Sequence, residues 1–286
     1  MQEKRVLITG KSGTLSIAIA QWLQSKNNMV INQLGLRDDE WKKQELGCYD
    51  VVVHVAGVTP QNTTQAETFY TVNYQLTEEL ALKAKAEGVK QFVYLSSMAV
   101  YGLEQQMDIN MGTVKEATPC KPKSDYGKSK FMAEESLKRL STNEFQVAIV
   151  RVPSIYGPSK TEYLDQYRYL SQKLPVIPNA FHSHYKSAIY VENLCELIYL
   201  LVKNESQGVF CPDDGQYTTV DYCAAIEPIK KKSKILGFLL ELLLKGNDRI
   251  LDYYGTICYS DELTNVFEGK YRVCNLEEAV KKSYEK

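Results

Sequence analysis

Charge of one sign, paired cysteines and long apolar runs are all missing from this sequence, and each absence removes a class of function. A formal net charge of -1, from 34 basic and 35 acidic residues, leaves no electrostatic footprint for nucleic acid, and no basic stripe suggests one. The seven cysteines, at 48, 120, 195, 211, 223, 258 and 274, are odd in number, scattered and never spaced as C-x-x-C. That is a pattern of reduced thiols rather than of a disulfide framework or a zinc site. The most apolar stretch, Ile235 to Leu244, is interrupted by Glu241 and falls short of the roughly 20 residues that span a bilayer. The chain enters a strand pattern directly, so no signal peptide and a cytoplasmic location are expected. No internal repeat or low-complexity linker divides the 286 residues, enough for one large domain or a main domain with an appendage.

What is present begins with Arg5-Val6-Leu7-Ile8-Thr9, a short apolar run consistent with a buried parallel strand. Gly10-Lys11-Ser12-Gly13-Thr14-Leu15-Ser16 follows and leads into the apolar helical pattern Ile17 to Leu23. Strand, glycine-rich turn and helix together let backbone amides and a helix N-terminus approach a pyrophosphate. The spacing is G-x-x-G-x-x-S, with Ser16 where a third glycine is expected. Met29 to Leu34 is the second expected strand. An acid at its end would hold ribose hydroxyls, but the end reads Asn32-Gln33-Leu34 and the first acid is Asp38, so NAD and NADP are not separated. Arg37 is a candidate for a 2′-phosphate, against a solvated surface arginine. A brief helix is expected over Trp41 to Leu46, then a strand over Val51 to Gly57, with His54 a packed structural histidine. A long helix is expected over Glu67 to Glu87, closed by Gly88. The strand Gln91 to Leu95 then delivers Ser96 and Ser97.

The pattern Tyr-x-x-x-Lys occurs four times, at Tyr126/Lys130, Tyr156/Lys160, Tyr169/Lys173 and Tyr199/Lys203. Position separates the copies. Pro158 interrupts the second, Tyr199 of the fourth is expected in a helix core, and the third has no strand-end serine before it. Only Tyr126/Lys130 follows such a serine and begins a helix, with Ser124 or Asp125 as N-cap. Positions 126, 130, 133, 137 and 140 share one face of it.

With these residues the chain resembles an extended short-chain dehydrogenase/reductase of the nucleotide-sugar epimerase/dehydratase family, UDP-galactose 4-epimerases included, from about residue 4 to 212. The resemblance rests on Thr9-Gly10-x-x-Gly13, His54-Val55-Ala56-Gly57, Val72-Asn73, Ser96-Ser97-x-x-Val100-Tyr101-Gly102, Tyr126-x-x-x-Lys130 and Arg151-x-x-x-Ile155-Tyr156-Gly157-Pro158. It implies an α/β protein, a Rossmann-type doubly wound parallel sheet with a smaller C-terminal substrate-binding lobe. The dinucleotide-binding domain would take residues 1–158 with about 187–212, and the lobe 159–186 and 213–286. Catalysis would fall to Ser97, Tyr126 and Lys130, with Tyr126 as general base, its pKa lowered by Lys130 and a positive nicotinamide ring. NAD, with NADP open, would be held by Gly10, Ser12, Gly13, Thr14, Leu15 and Arg37 and by Val55, Ala56, Gly57 and Asn73. Leu95, Ser96, Tyr126, Lys130, Pro153 and Ile155 would complete that site. The nucleotide sugar would meet Ser97, Met98, Ala99, Tyr126, Ser154 and Lys186.

Three departures shape the expected reaction. Sugar 4,6-dehydratases of the family carry Thr-Asp-Glu where this chain has Ser97-Met98-Ala99, which speaks against water elimination. UDP-galactose 4-epimerases place Asn where Ser154 stands and a diphosphate-binding Arg where Lys186 aligns. Lysine keeps the charge but not the bidentate fork. A 4-epimerase working on a UDP-hexose or UDP-N-acetylhexosamine through a transient 4-ketose, in surface polysaccharide synthesis, is the leading expectation. A 4-keto nucleotide-sugar reductase using NADPH is the alternative, and a catalytically silent dinucleotide-binding protein is a third.

The second half is less regular. Gln146 to Val152 is expected as the sixth sheet strand, and Asn193 to Val202 and Val209 to Cys211 as a helix and strand returning to the main domain. Tyr163, Tyr167, Arg168, Phe181, His182, His184 and Tyr185 offer stacking or phosphate contacts, or else surface tyrosines. The two histidines lack carboxylate or cysteine companions at metal-ligand spacing, so no metal is expected. The Lys230 to Lys234 cluster with Ile235 to Leu244 is expected as a helix packed on the nucleotide domain or a partner subunit, with a basic amphipathic element on a membrane surface as the alternative. A homodimer is left open.

Overall fold

Alternating apolar runs and helical patterns become one parallel sheet in a computed structural model that describes residues 3–244 and 251–285. We number its strands β1 (Lys4–Thr9), β2 (Met29–Leu34), β3 (Val51–His54), β4 (Gln91–Ser97), β5 (Gln146–Val152) and β6 (Gly208–Phe210). The six strands lie in the order β6-β5-β4-β3-β1-β2, every neighbouring pair parallel. Gln146–Val152 is therefore fifth in chain order rather than sixth. The sixteen residues between β2 and β3 hold only a 3-10 turn, Asp39–Lys43, where a further strand and helix would otherwise lie. That turn replaces the expected helix over Trp41 to Leu46, and the Asp38 carboxylate caps it by accepting the Glu40 amide at 3.2 Å.

The helices that flank the sheet are α1 (Thr14–Gln24), α2 (Leu76–Ala86), α3 (Asp125–Leu140) and α4 (Val191–Lys203). Leu7, Val52, Phe92, Tyr94, Val147 and Ile149 form one buried face with Leu80, Ala81 and Ala84 of α2 and Ala133 and Leu137 of α3. The strand pleat turns Val6, Ile8, Val53, Val93 and Val150 to the other face, where they too are buried. On α1 and α4, Ile19, Leu23, Leu194, Leu197 and Leu201 are buried, and Trp22 Nε1 on α1 donates to Glu196 on α4 at 2.8 Å. Helices on both faces make the sheet doubly wound.

The chain forms two compact units. The first takes Met1–Gly102, Pro119–Val152 and Leu194–Cys211, and contains the sheet. The second takes Leu103–Thr118, Pro153–Asn193 and Pro212–Lys286. Residues 103–118, 153–158 and 187–193, expected in the nucleotide-binding domain, group with the second unit. Thr113–Val114 runs parallel to Cys258–Tyr259, and Ser154–Tyr156 parallel to Ala188–Tyr190. The second unit has its own core, in which Tyr156, Tyr167, Tyr190 and Tyr222 are buried with Leu164, Ile177, Val220 and Ala279. Among the described residues no helix is long and apolar enough to cross a membrane.

Candidate active site at the strand ends

The chain goes from β1 to β2 on one side and then to β3 on the other, so the crevice where strand order reverses lies between the carboxyl ends of β1 and β3. On the β1 side Gly10 takes a φ of +91°, its amide donating to the Leu34 carbonyl at 2.9 Å and its carbonyl accepting the Gly13 amide at 2.8 Å. Gly13 caps α1 without a side-chain hydrogen bond, which leaves that helix end to backbone amides. Ser16, in place of a third glycine, is buried and donates to the carbonyls of Gly13, at 2.8 Å, and Gly10. It binds the turn to its helix. Residues 11–14 stand exposed above it.

On the β3 side a relay of buried side chains fixes the turn Val55-Ala56-Gly57. Thr77 Oγ1 donates to the Asn73 carbonyl at 2.8 Å, so toward His54 it accepts, and the ring proton sits on Nε2, 2.9 Å away. His54 Nδ1 then accepts from Thr9 Oγ1 at 2.8 Å, and that oxygen receives the Val55 and Ala56 amides at 3.1 and 3.2 Å. The tautomer follows from the network. Burial, with the Lys130 charge acting the same way, pushes the His54 pKa down to about 3. It is neutral near pH 7 and structural.

Asn73 lies on a π-helical turn, Tyr70–Gln75, between the short helix Ala66–Phe69 and α2. The helix expected over Glu67 to Glu87 is thus interrupted. Insertions of this kind gather at functional sites, and this one sends the Asn73 amide to Val58, accepting its amide at 2.8 Å and donating to its carbonyl at 2.9 Å. A Cβ on Gly57 would fall 2.9 Å from Asn73 Oδ1 and 3.4 Å from Lys130 Nζ, so that wall of the crevice has no room for a side chain.

The third wall is the end of β4. Ser97 accepts the Ala99 amide at 3.2 Å and so opens a 3-10 turn, Met98–Tyr101. Ser124 caps α3 by accepting the Gly127 amide at 3.1 Å. The turn and the helix start meet at Gly127, where a Cβ would be 2.6 Å from the Ala99 carbonyl oxygen. This approach brings the half-buried Tyr126 toward Ser97; burial raises the phenol's pKa, and the Ser97 hydroxyl pulls it the other way. The Tyr126 ring meets Phe69 edge-on at 5.8 Å. One helical turn on, Lys130 is buried, donates to the Leu95 carbonyl at 2.9 Å and sits 4.8 Å from the Tyr94 ring centre. Burial lowers its pKa to about 8, against the pull of Glu134. The expected downward pull of Lys130 on Tyr126 is not what governs the phenol: with the chain's own residues alone, burial dominates and the phenol stays above its ordinary value.

Beneath these residues runs an ionic clamp around Glu134, a residue that sequence reasoning did not single out. Glu134, with no exposed surface, accepts Arg151 Nη2 at 2.6 Å and Nε at 3.1 Å, and Ser96 Oγ at 2.5 Å. Arg151 Nη1 also donates to the Tyr101 hydroxyl at 2.8 Å. The available signal was a glutamate on the buried face of α3, one turn after Lys130. Ser96, expected at the cofactor, has its side chain turned into this clamp.

Other expected residues are placed as follows. Arg37 is exposed just past β2. Met98 is buried and Ala99 half-buried. Pro153, Ser154, Ile155 and Lys186 belong to the second unit, where Lys186 is buried and donates to Gln105 Oε1. Tyr163 and Tyr167 are not surface residues but part of that unit's core. Tyr199 is half-buried rather than core, with Lys26 4.7 Å and Lys203 5.6 Å from its ring centre.

An adenine dinucleotide fits the first unit's crevice on the chain's own features. A glycine turn opens onto an uncapped helix start, a wall at Gly57 leaves no space for a Cβ, and a lysine and tyrosine stand at the far end. Gly10, Gly13, Thr14 and Leu15 would hold the pyrophosphate, and Tyr126 and Lys130 the nicotinamide ribose.

Comparison with known proteins agrees. Residues 6–210 match the NAD dependent epimerase/dehydratase family. An Escherichia coli O157:H7 protein, N-acetyl-alpha-D-glucosaminyl-diphospho-ditrans,octacis-undecaprenol 4-epimerase, is 31% identical over 223 residues, 71% of this chain and 64% of that protein. The chain thus spans somewhat under two thirds of that relative's length. A Vibrio cholerae UDP-glucose 4-epimerase is 26% identical over 74% of this chain and 71% of its own. The UDP-Glc/GlcNAc 4-epimerase structure from Campylobacter jejuni superposes with a TM-score of 0.70 at 17% identity, over 98% of each chain, a likeness of fold.

Proposed function

Because the chain belongs to the NAD dependent epimerase/dehydratase family, we propose that it is a 4-epimerase of a nucleotide sugar, a UDP-hexose or UDP-N-acetylhexosamine. The observation that carries this reading is the close approach of the Tyr126–Gly127 helix start to the turn that Ser97 opens at the end of β4, one helical turn from the buried Lys130. Ser97 would accept the sugar C4 hydroxyl and pass its proton to Tyr126, and Tyr126 would return a proton to the C4 oxygen after the 4-ketose has turned over. Tyr126 begins as a phenol above its ordinary pKa, so it becomes a base only when positive charge is brought beside it. Lys130, charged below about pH 8, is placed to supply part of that charge once it leaves the Leu95 carbonyl. The bound nicotinamide supplies the acceptor, and then the donor, of the C4 hydride. Met98 and Ala99 offer neither acid nor base for water elimination, which favours epimerisation over dehydration.

A reductase of a 4-keto nucleotide sugar is the second reading, and one observation favours it. The first acid beyond β2, Asp38, is committed to capping a 3-10 turn, which leaves the ribose-binding position without a carboxylate and an NADP phosphate unopposed. The experiment that decides is to denature the purified protein and identify the nicotinamide it releases. Fresh protein is then incubated with UDP-glucose and UDP-N-acetylglucosamine while C4 configuration is followed by NMR. Tight NAD and inversion with no added cofactor are expected; strict dependence on NADPH would make it a reductase. A role in surface polysaccharide synthesis is part of the proposal and rests on the sugar-diphosphate chemistry.

A further inference from the structure

Helix Lys234–Leu244 in the second unit has a face packed on its own unit and a face packed on nothing described. Inward, Gly237 lies against the Asn179 backbone, Leu240 packs with Ala180, Phe181 and Tyr254, and Glu241 accepts the Phe181 amide at 2.6 Å. Outward, Ile235, Phe238, Leu239 and Leu242 are 77%, 62%, 45% and 61% exposed. Their spacing of i, i+3, i+4 and i+7 gathers them into one apolar stripe. Ile229, just before the helix, is 95% exposed. Contiguous apolar surface of this kind marks a site of contact.

Charge says with what. Between Ile229 and the stripe the chain reads Lys230-Lys231-Lys232-Ser233-Lys234. Lys230 is spent inward, donating to the carbonyls of Leu174, at 3.0 Å, and Ser171. Lys231, Lys232 and Lys234 are exposed at the positive end of the helix dipole. The chain as a whole is almost neutral, so this is a local concentration of charge. The one acid on the helix, Glu241, turns inward. A second copy docked through the same stripe by a two-fold axis would offer no acid from this helix to meet the lysines, whereas phosphate headgroups over an acyl layer match both the lysines and the stripe. The helix has 11 residues, enough to lie in an interface and too few to cross it.

We propose that helix Lys234–Leu244 docks the protein in the plane of an anionic phospholipid bilayer, with Ile235, Phe238, Leu239 and Leu242 at the acyl boundary and Lys231, Lys232 and Lys234 on headgroup phosphates. The inference is independent of the reaction proposed above, since it is read from lipid binding alone. Flotation of the full chain with vesicles of equimolar phosphatidylcholine and phosphatidylglycerol, and with phosphatidylcholine alone, tests it. The wild type is expected to float with the anionic vesicles and to be released by salt. Lys231→Gln/Lys232→Gln/Lys234→Gln should weaken that binding about 100-fold, and Phe238→Glu/Leu242→Glu should abolish it with thermal stability kept, since both side chains face out. Wild-type protein that stays unbound overturns the proposal, as does unchanged flotation of Phe238→Glu/Leu242→Glu. Sedimentation showing a dimer that this variant splits, without vesicle binding, also overturns it and makes the face a contact between copies.

Discussion

Tyr126 and Tyr156 each open a Tyr-x-x-x-Lys sequence, and the structure gives them opposite partners. Tyr126 is half-buried, and against the upward push of burial the neutral Ser97 hydroxyl pulls its pKa down. Tyr156 is fully buried and donates to Asp214 Oδ2 at 2.6 Å; burial first, and the carboxylate with it, drive its pKa far upward. Around Tyr156 stand the rings of Tyr163, Tyr190 and Tyr222, at 6.0, 5.7 and 6.5 Å between centres. One phenol is set where it can exchange a proton, and the other is locked as a donor in an aromatic core. What a tyrosine does here is decided by the hydroxyl or carboxylate beside it, and a lysine four residues on does not by itself make it a base.

The sharpest way to break this contrast is Tyr126→Phe. If Tyr126 moves the proton, activity falls by about 10²–10⁴-fold while nicotinamide binding and thermal stability hold. Turnover near wild type, measured by NMR of the sugar C4, would remove Tyr126 from the chemistry and leave both tyrosines structural.

The two regions also differ in how they bury charge. Under Tyr126 the strand end rests on the Glu134–Arg151 pair, with Glu134 fully buried and Arg151 nearly so. Glu134→Ala leaves a buried guanidinium without its partner, and a loss of about 3–5 kcal/mol is expected in denaturant unfolding. Ser97 would lose its support at Ser96 as well, so kcat is expected to fall in whatever protein remains folded. A stability change under about 1 kcal/mol would show that the clamp contributes little beyond hydrogen bonds to charged groups.

How far the sequence foretold these regions follows the same division. Strands with continuous valine, isoleucine and leucine runs, such as Val51–His54 and Gln91–Ser97, and the glycine turn after β1 were legible because their signals are local. Ser97 and Tyr126 were legible as a pair through their order in the chain. The π turn at Asn73 was not, because Tyr70–Gln75 carries the same helical pattern as its flanks and differs only in which carbonyl each amide reaches. Ser16 looked like a defect in the glycine spacing, and its two carbonyl partners exist only once the turn has formed. The tyrosine core was hidden for another reason: Tyr163 and Tyr167 sit in a polar stretch with Glu162, Asp165 and Arg168, and the ring that packs on both, Tyr222, is distant in sequence.

The smallest effect tests the second region by the same substitution. Asp214, also bonded by Asn193 Nδ2 and the Tyr190 amide, each at 2.8 Å, has its pKa pushed by burial from 3.8 to about 7, against the pull of the Tyr156 hydroxyl. Its folded value lies above its unfolded one, so the folded chain holds the extra proton. The contribution to stability is greatest below about pH 4, declines as pH rises, and levels off above about pH 7. Tyr156→Phe removes a donor that favours the carboxylate, so the decline should continue to higher pH. At pH 5, where the pair is neutral, the substitution should cost about 1 kcal/mol, and at pH 8, where a hydrogen bond to a charged group is lost, about 2–3 kcal/mol. Unfolding measured at both pH values reads the difference directly. A gap that is the same at both would mean that Asp214 does not change charge in this range, and that Tyr156 is held by packing alone. Activity should be spared, in contrast to Tyr126→Phe, because the Tyr156 proton is held against a carboxylate and takes no part in the reaction.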